Sequence, residues 1–138
     1  MKRVVVDASV ILKWVLGDRR ETDHERAMDL LDAWVDGRVE VFAPALWEYE
    51  VGNFLGRELP EQATEKMSLL RGLGIVSLPL NEKMHALCFS WMKQNGVTFY
   101  DAAYLAAAVE TGGILVTADS KFSDRMRHME SIRLLSDL

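Results

Sequence analysis

The sequence predicts an α/β fold in which helices flank a central parallel sheet of four to five strands. Short apolar runs alternate along the chain with amphipathic stretches whose apolar residues recur every three or four positions. Strands that alternate with helices form parallel sheets with right-handed crossovers. With 138 residues, 49% of them hydrophobic, the chain can build one core, so we expect 1–138 to be a single domain.

The first strand is predicted over 3–8, where RVVVDA is a β-branched run typical of a strand buried on both faces. Ser9 is a candidate N-cap for the short helix ILKWVL. A charged loop follows, and Thr22 begins a capping-box pattern for the second helix, which is predicted to end at Gly37.

The rest of the chain repeats this alternation of strands and helices. Proline suits the first turn of a helix, and asparagine or threonine suits the N-cap. We predict strands over 39–43, 75–78, 113–119 and 132–135, longer helices that begin at Pro44, Pro60, Asn81 and Thr98, and a short helix over 121–128.

Charge and leader patterns narrow the possible settings. The net charge of −5 argues, taken alone, against nucleic-acid binding. Four of the acids are candidates for one site, however, and bound cations would reverse the local sign there. Asp7 interrupts the N-terminal apolar run too early for a signal peptide. No apolar run approaches the ~20 residues of a membrane helix, so we expect a cytoplasmic protein without membrane contact.

Cysteine and histidine offer no metal site. The single Cys88 excludes an internal disulfide and any cysteine-based metal site, and its apolar surroundings indicate burial. The three histidines show no zinc-type spacing; they are His24, His85 and His128.

Two apolar strands run directly into an aspartate, Asp7 after the first and Asp119 after the fourth. If the strands are parallel, both carboxyls emerge at the same edge of the sheet, where ligands bind in such folds. The alternative is that each aspartate only caps the helix or turn that follows.

Asp101 lies in a helix, FYDAAYLAAAV, that is apolar on nearly every side and should be buried. A buried carboxylate is costly unless it is paired or binds a metal. Asp101 also fits the third position of a helix capped by Thr98, where the helix dipole favours an acid. The two roles are compatible.

The helix after Pro44 offers two glutamates, Glu48 and Glu50. They flank opposite borders of its apolar face, so helix geometry leaves both open. Glu50 shares its side with Asn53, which could orient a carboxylate or a bound water.

Four converging carboxylates would repel one another unless a divalent cation lay between them. An all-oxygen set suits Mg²⁺ or Mn²⁺. Such metals activate water and neutralise a phosphodiester during hydrolysis. The sequence lacks a phosphate-binding glycine loop, a G-x-S-x-G elbow and the D-x-D of phosphoaspartyl phosphatases.

Four segments, in order and spacing, resemble the acidic motifs of PIN-domain ribonucleases, and of VapC-type toxins in particular. These are VVVDASVILKW, APALWEYEVGNFL, TFYDAAYLAAA and LVTADSKF. The resemblance implies a PIN-like domain and a Mg²⁺- or Mn²⁺-dependent endoribonuclease, usually dimeric and inhibited by a small antitoxin. It also implies metal-site acids at Asp7, Glu50, Asp101 and Asp119, flanked by Ser9 and Thr117, with Asn53 three residues after Glu50.

The sequence is also compatible with two other functions: a housekeeping or structure-specific nuclease on the same fold, and a non-catalytic module that binds partners. Four basic residues follow the acidic motifs and could meet phosphates or lie in solvent; they are Lys13, Arg57, Lys121 and Arg125.

Overall fold

A computed structural model describes residues 2–17 and 22–138. Its five strands form one parallel sheet in the order β3-β2-β1-β4-β5, which confirms the predicted fold class. The strands are β1 (Lys2–Val6), β2 (Val39–Pro44), β3 (Val76–Leu78), β4 (Ile114–Thr117) and β5 (Ile132–Leu134).

Seven α-helices and one short 3₁₀ helix, Leu135–Asp137, lie within the described ranges. The α-helices are α1 (Ala8–Leu16), α2 (Thr22–Val35), α3 (Leu46–Glu58), α4 (Ala63–Gly72), α5 (Glu82–Asn95), α6 (Phe99–Thr111) and α7 (Ser120–Arg125). None of the helices in the part of the chain that the structure describes is long and apolar enough to span a membrane.

Helix α6 forms the centre of the core. Its residues 102–108 are all buried, and it packs against β1, β2 and β4 on one side and against α5 on another. This burial agrees with a sequence that is apolar on nearly every side. Cys88 on α5 is also fully buried, as predicted, and burial raises the pKa of its thiol to about 11.

Three predicted helix starts differ from the structure. Asp7, not Ser9, caps α1, because its side chain accepts hydrogen bonds from Ser9 N and Val10 N. Pro44 ends β2, where its register partner is Leu78 of β3, instead of beginning α3. Pro60 lies in a turn, so α4 begins later, at Ala63.

The other predicted caps agree with the structure. Asn81 Oδ1 accepts a hydrogen bond from Met84 N at 2.9 Å, and Thr98 Oγ1 accepts one from Asp101 N at 3.1 Å. Helix α2 ends at Val35, before Gly37. The predicted charged loop includes 18–21, which lie outside the described residues, as does the side chain of Thr22.

The strand order reverses direction at β1. From β1 the sheet continues to β2 and β3 on one side, and to β4 and β5 on the other. A crevice therefore opens beyond the carboxyl ends of β1 and β4, the place where parallel sheets hold ligands.

Candidate active site

The four carboxylates predicted from the sequence line one cavity of about 160 Å³ at this crevice. Asp7 follows β1 directly and Asp119 lies two residues after β4, while Asp101 occupies the first turn of α6 and Glu50 lies on α3. Ser9 and Tyr104 also line the cavity. Residues from four separate segments therefore meet at one edge of the sheet.

Asp7 is held in one orientation by hydrogen bonds to both carboxyl oxygens. Its Oδ1 accepts from Ser9 N at 3.1 Å, Ser9 Oγ at 2.5 Å and Val10 N at 3.3 Å. Its Oδ2 accepts from the hydroxyl of Thr117. The residue is only 8% exposed, so its position is fixed by the protein and not by solvent.

The strand register explains the contact between Asp7 and Thr117. Val6 pairs with Val116, so the next residues of β1 and β4 are neighbours. Both hydroxyl groups tie the two loops together: Ser9 Oγ accepts from Ala118 N at 3.0 Å, and Thr117 Oγ1 donates to Asp7 Oδ2. Thr117 Oγ1 also accepts from Asp119 N of its own loop at 3.0 Å.

Glu50 and Glu48, which helix geometry could not separate, have different surroundings. Glu50 Oε1 accepts a hydrogen bond from the Tyr104 hydroxyl at 2.6 Å inside the cavity. Glu48 Oε1 instead forms an ion pair with Arg71 Nε of α4 at 2.9 Å. Glu50 is therefore the glutamate that this fold presents to the other three acids.

Tyr104 is the cavity residue that sequence reasoning missed. It lies among alanines on α6 and looks like a core side chain, and it is indeed only 1% exposed. The available signal was its spacing, because a residue three positions after Asp101 lies on nearly the same helix face. Asn53, the predicted companion of Glu50, is exposed and does not line the cavity.

The capping alternative and the site prediction turn out to describe the same side chains. Asp7 caps α1, and Asp119 Oδ1 caps α7 by accepting from Phe122 N at 3.1 Å. Asp101 stands in the first turn of α6, beneath its Thr98 cap. The carboxyls of Asp7 and Asp119 are therefore fixed by the caps that they form, and the capped start of α6 places Asp101 beside them.

Burial and charge repulsion shift Asp7, Glu50 and Asp101 toward their protonated forms. Burial, opposed by the hydrogen bonds and aided by the charge of Asp101, raises the pKa of Asp7 to about 6. The pKa values of Glu50 and Asp101 are raised, again chiefly by burial. The charge of Asp101 adds to the shift at Glu50, and that of Asp119 adds to the shift at Asp101.

Tyr104 responds to the same negative field. Burial, the hydrogen bond to Glu50 and the charges of the neighbouring acids raise the pKa of its phenol far above the usual range. Tyr104 therefore stays protonated and acts as a hydrogen-bond donor to Glu50.

Comparison with known proteins identifies the family. Residues 4–127 match the PIN domain. The chain belongs to the PIN domain family. It is 30% identical to the ribonuclease VapC3 of Pyrobaculum aerophilum over 132 residues, which cover 89% of this chain and 94% of that protein.

Solved structures share the PIN fold at lower identity. A crystal structure of PAE2754 from Pyrobaculum aerophilum superimposes with a TM-score of 0.70 at 21% identity, covering 97% of this chain and 84% of that one. A toxin–antitoxin complex from Klebsiella pneumoniae gives a TM-score of 0.73 at 13% identity, covering 98% of this chain and 99% of the other.

The donor set of this PIN site fits a hard divalent cation. Within 2–17 and 22–138, no three His, Cys, Asp or Glu side chains are already arranged closely enough to coordinate one metal ion. The cavity is nevertheless lined by four carboxylates. Burial raises the pKa values of Asp7, Glu50 and Asp101, and a bound cation would offset that cost of burying charge. Mg²⁺ keeps several waters and binds through few carboxylates, so it does not need a tight protein cage.

The predicted basic residues divide into two groups. Lys121 and Arg125 line a second cleft, of about 200 Å³, which shares Asp101 and Asp119 with the first. Lys13 and Arg57 line neither cleft, and Arg57 pairs with Glu58 at 3.2 Å.

Proposed function

We propose that this chain is a Mg²⁺- or Mn²⁺-dependent endoribonuclease that acts as the toxin of a toxin–antitoxin pair. The observation that carries the proposal is the meeting of Asp7, Glu50, Asp101 and Asp119 in one cavity at the carboxyl ends of β1 and β4. Similarity to a ribonuclease, VapC3, supports RNA as the substrate.

The protein side of the reaction is the holding of charge in fixed positions. A divalent cation, when bound, would lower the pKa of a coordinated water and neutralise phosphate charge during in-line attack. The carboxyls of Asp7, Asp101, Glu50 and Asp119 would hold it. Asp7 is fixed by the hydroxyls of Ser9 and Thr117, and Glu50 is fixed by Tyr104. Preorganised groups of this kind need no rearrangement as charge develops.

An RNA cleavage assay with matched variants tests the nuclease proposal. The purified, partner-free chain should cleave RNA with Mg²⁺ or Mn²⁺ and not with EDTA. Asp101→Asn and Glu50→Gln should each lose at least about a hundredfold in rate, the scale of loss when one preorganised group is removed at a reacting centre. Glu48→Gln is the matched control and should keep wild-type activity, because its carboxyl pairs with Arg71 away from the cavity.

The outcomes separate the alternatives. A chain that binds Mn²⁺ normally but cleaves no RNA with any divalent metal would exclude the enzyme and favour a non-catalytic PIN module. Equal loss in Glu48→Gln and Glu50→Gln would exclude the assignment of Glu50.

The toxin role needs its own test, because a housekeeping nuclease would have the same site. Expression of the wild-type chain should arrest growth, and Asp101→Asn should not. Co-expression of a small cognate antitoxin should restore growth, and the antitoxin should co-purify with the chain. The similarity of this fold to the toxin–antitoxin complex from Klebsiella pneumoniae supports such a partner. The resemblance to VapC toxins also supports a homodimer, which light scattering on the partner-free chain tests.

A further inference from the structure

The cleft beside the carboxylates contains two cations that the proposed chemistry does not use. Lys121 and Arg125 line it together with Thr98 and Phe122, and Asp101 and Asp119 form the wall shared with the acidic cavity. The two clefts are therefore adjacent, one acidic and one bordered by positive charge.

The two cations belong to one face of α7, which is anchored from below. They are four residues apart, so their side chains are neighbours on the helix surface. Phe122 and Met126, each one position further along the chain, are buried at 4% and 0% exposure and anchor the adjacent side of this segment. The buried side chains thus fix the helix segment that carries the two cations at the rim of the site.

Contacts with the α5–α6 loop fix Arg125 more closely. Its Nη1 donates to Gly96 O at 2.7 Å, and its own carbonyl accepts from Asn95 Nδ2 at 3.4 Å. One guanidinium donor is used in this way, and the remaining donors stay available for a ligand.

The charges of the pair are not compensated by ion pairs. Within the described ranges, neither Lys121 nor Arg125 forms a salt bridge, in contrast to Arg57 and Arg71. Both side chains are exposed. Asp101 and Asp119 share this cleft, and the proposed metal would neutralise them. The two neighbouring cations then favour an anion, and a fork of guanidinium donors suits a phosphate.

We propose that Lys121 and Arg125 form a subsite for the backbone phosphate next to the one that is cut. This proposal rests on the proposed function, because it takes RNA as the ligand. The acidic cavity would receive the scissile phosphate together with metal, and an adjacent phosphate of the same strand would lie in the second cleft. The substrate strand would then leave the site over α7 and not over α3, where Glu48 and Arg71 pair with each other.

Binding of a labelled single-stranded RNA of about 12 nucleotides, a length that single-strand sites cover, tests the subsite. Anisotropy is measured with Ca²⁺ over a salt series, and gels confirm that the RNA remains intact. Lys121→Gln combined with Arg125→Gln should weaken binding about tenfold, as expected for one lost charge-assisted contact. The slope of log affinity against log salt should become shallower by about 0.7 for one lost phosphate contact.

Two control variants separate this effect from net charge and from misfolding. Lys83→Gln combined with Arg127→Gln removes the same charge from exposed residues outside both clefts and should retain most of the affinity. Lys121→Gln alone leaves the Arg125–Gly96 hydrogen bond intact and should still weaken binding. Wild-type affinity and slope in the Lys121→Gln, Arg125→Gln double variant would overturn the proposal.

The same experiment distinguishes this inference from the proposed function. If the wild type cleaves RNA and the double variant binds and cleaves equally well, only the subsite fails. If RNA binding depends on the two cations but the wild type cleaves nothing, only the nuclease proposal fails. If the wild type binds no RNA, both fail.

Discussion

At the scale of single residues, the site depends on how each carboxyl is held as much as on its presence. Asp7 and Asp101 were predictable because a carboxylate at the end of a buried strand or within an apolar helix is costly to bury unless it has a partner or a ligand. Tyr104 was not, because a tyrosine in an apolar helix fits a core, and only the fold shows that its hydroxyl reaches Glu50 54 residues away in sequence. Choosing Glu50 over Glu48 required the same three-dimensional information.

Tyr104→Phe should weaken metal-dependent activity without unfolding the protein. The change removes only the hydroxyl that orients Glu50, and the loss of such an outer partner typically costs about 10- to 100-fold in metal affinity or activity. Titration of RNA cleavage with Mg²⁺ should show a higher metal requirement, partly restored at saturation. Tyr100→Phe, at an exposed tyrosine on the same helix, is the control, and equal effects of the two changes would contradict this role.

Asp7→Asn should stabilise the metal-free protein at neutral pH. In the folded state the pKa of Asp7 is raised from 3.8 to about 6, so folding favours the protonated carboxyl. The stability that this group contributes is therefore full below about pH 4 and falls as the pH rises toward 6. At neutral pH the buried carboxylate is charged and lowers the free energy of unfolding. An uncharged amide avoids this loss, which is up to about 3 kcal/mol for a pKa shift of this size.

Urea unfolding in EDTA measures this effect. The unfolding midpoint of Asp7→Asn should exceed that of the wild type near pH 7 and match it near pH 4. A variant that is less stable than the wild type at both pH values would mean that the hydrogen bonds of Asp7 outweigh its desolvation.

At the scale of elements, the site is the junction of β1–α1 with β4–α7. The alternation of strands and helices could be predicted because each has its own apolar period. Several helix starts could not, since Pro44 and Pro60 are compatible with a helix start, a strand end or a turn. For Pro44 the choice depended on the pairing of β2 with β3, which local sequence does not encode.

Thr117→Val should destabilise the protein by about 1–3 kcal/mol, the usual cost of leaving buried polar groups without a partner. The change keeps the shape of the side chain but removes hydrogen bonds to Asp7 Oδ2 and Asp119 N. Thr111→Val is the matched control. Its hydroxyl bonds only to carbonyls of its own helix, Ala107 O and Ala108 O, so the effect should be much smaller. Unfolding by urea at neutral pH checks both, and similar losses would contradict a junction role for Thr117.

At the scale of the whole molecule, the protein combines a net charge of −5 with an acidic cavity at the middle of its sheet. Composition alone argued against a nucleic-acid ligand. Only the fold shows that three of the acids with raised pKa values share one cavity and that Lys121 and Arg125 border it.

Mn²⁺ should raise the melting temperature of the wild type, because a ligand that binds only the folded state stabilises it by mass action. Without metal, Asp101→Asn should be more stable than the wild type, since the charge of Asp101 raises the pKa of both Asp7 and Glu50. The variant should also respond little to Mn²⁺, because it lacks one of the proposed ligands. Thermal unfolding with and without EDTA measures this, with Glu48→Gln as control. A full Mn²⁺ response in Asp101→Asn would remove Asp101 from the ligand set.

The register that sets Asp7 beside Thr117 also fixes when during synthesis the site can exist. Asp7 leaves the ribosome early, but the hydroxyl that holds its Oδ2 lies 110 residues later. A nascent chain that ends before β4 contains Asp7, Glu50 and Asp101 but lacks both Thr117 and Asp119. Such a fragment has no complete cavity, so translation must pass the fourth strand before the proposed nuclease can harm the cell that makes it.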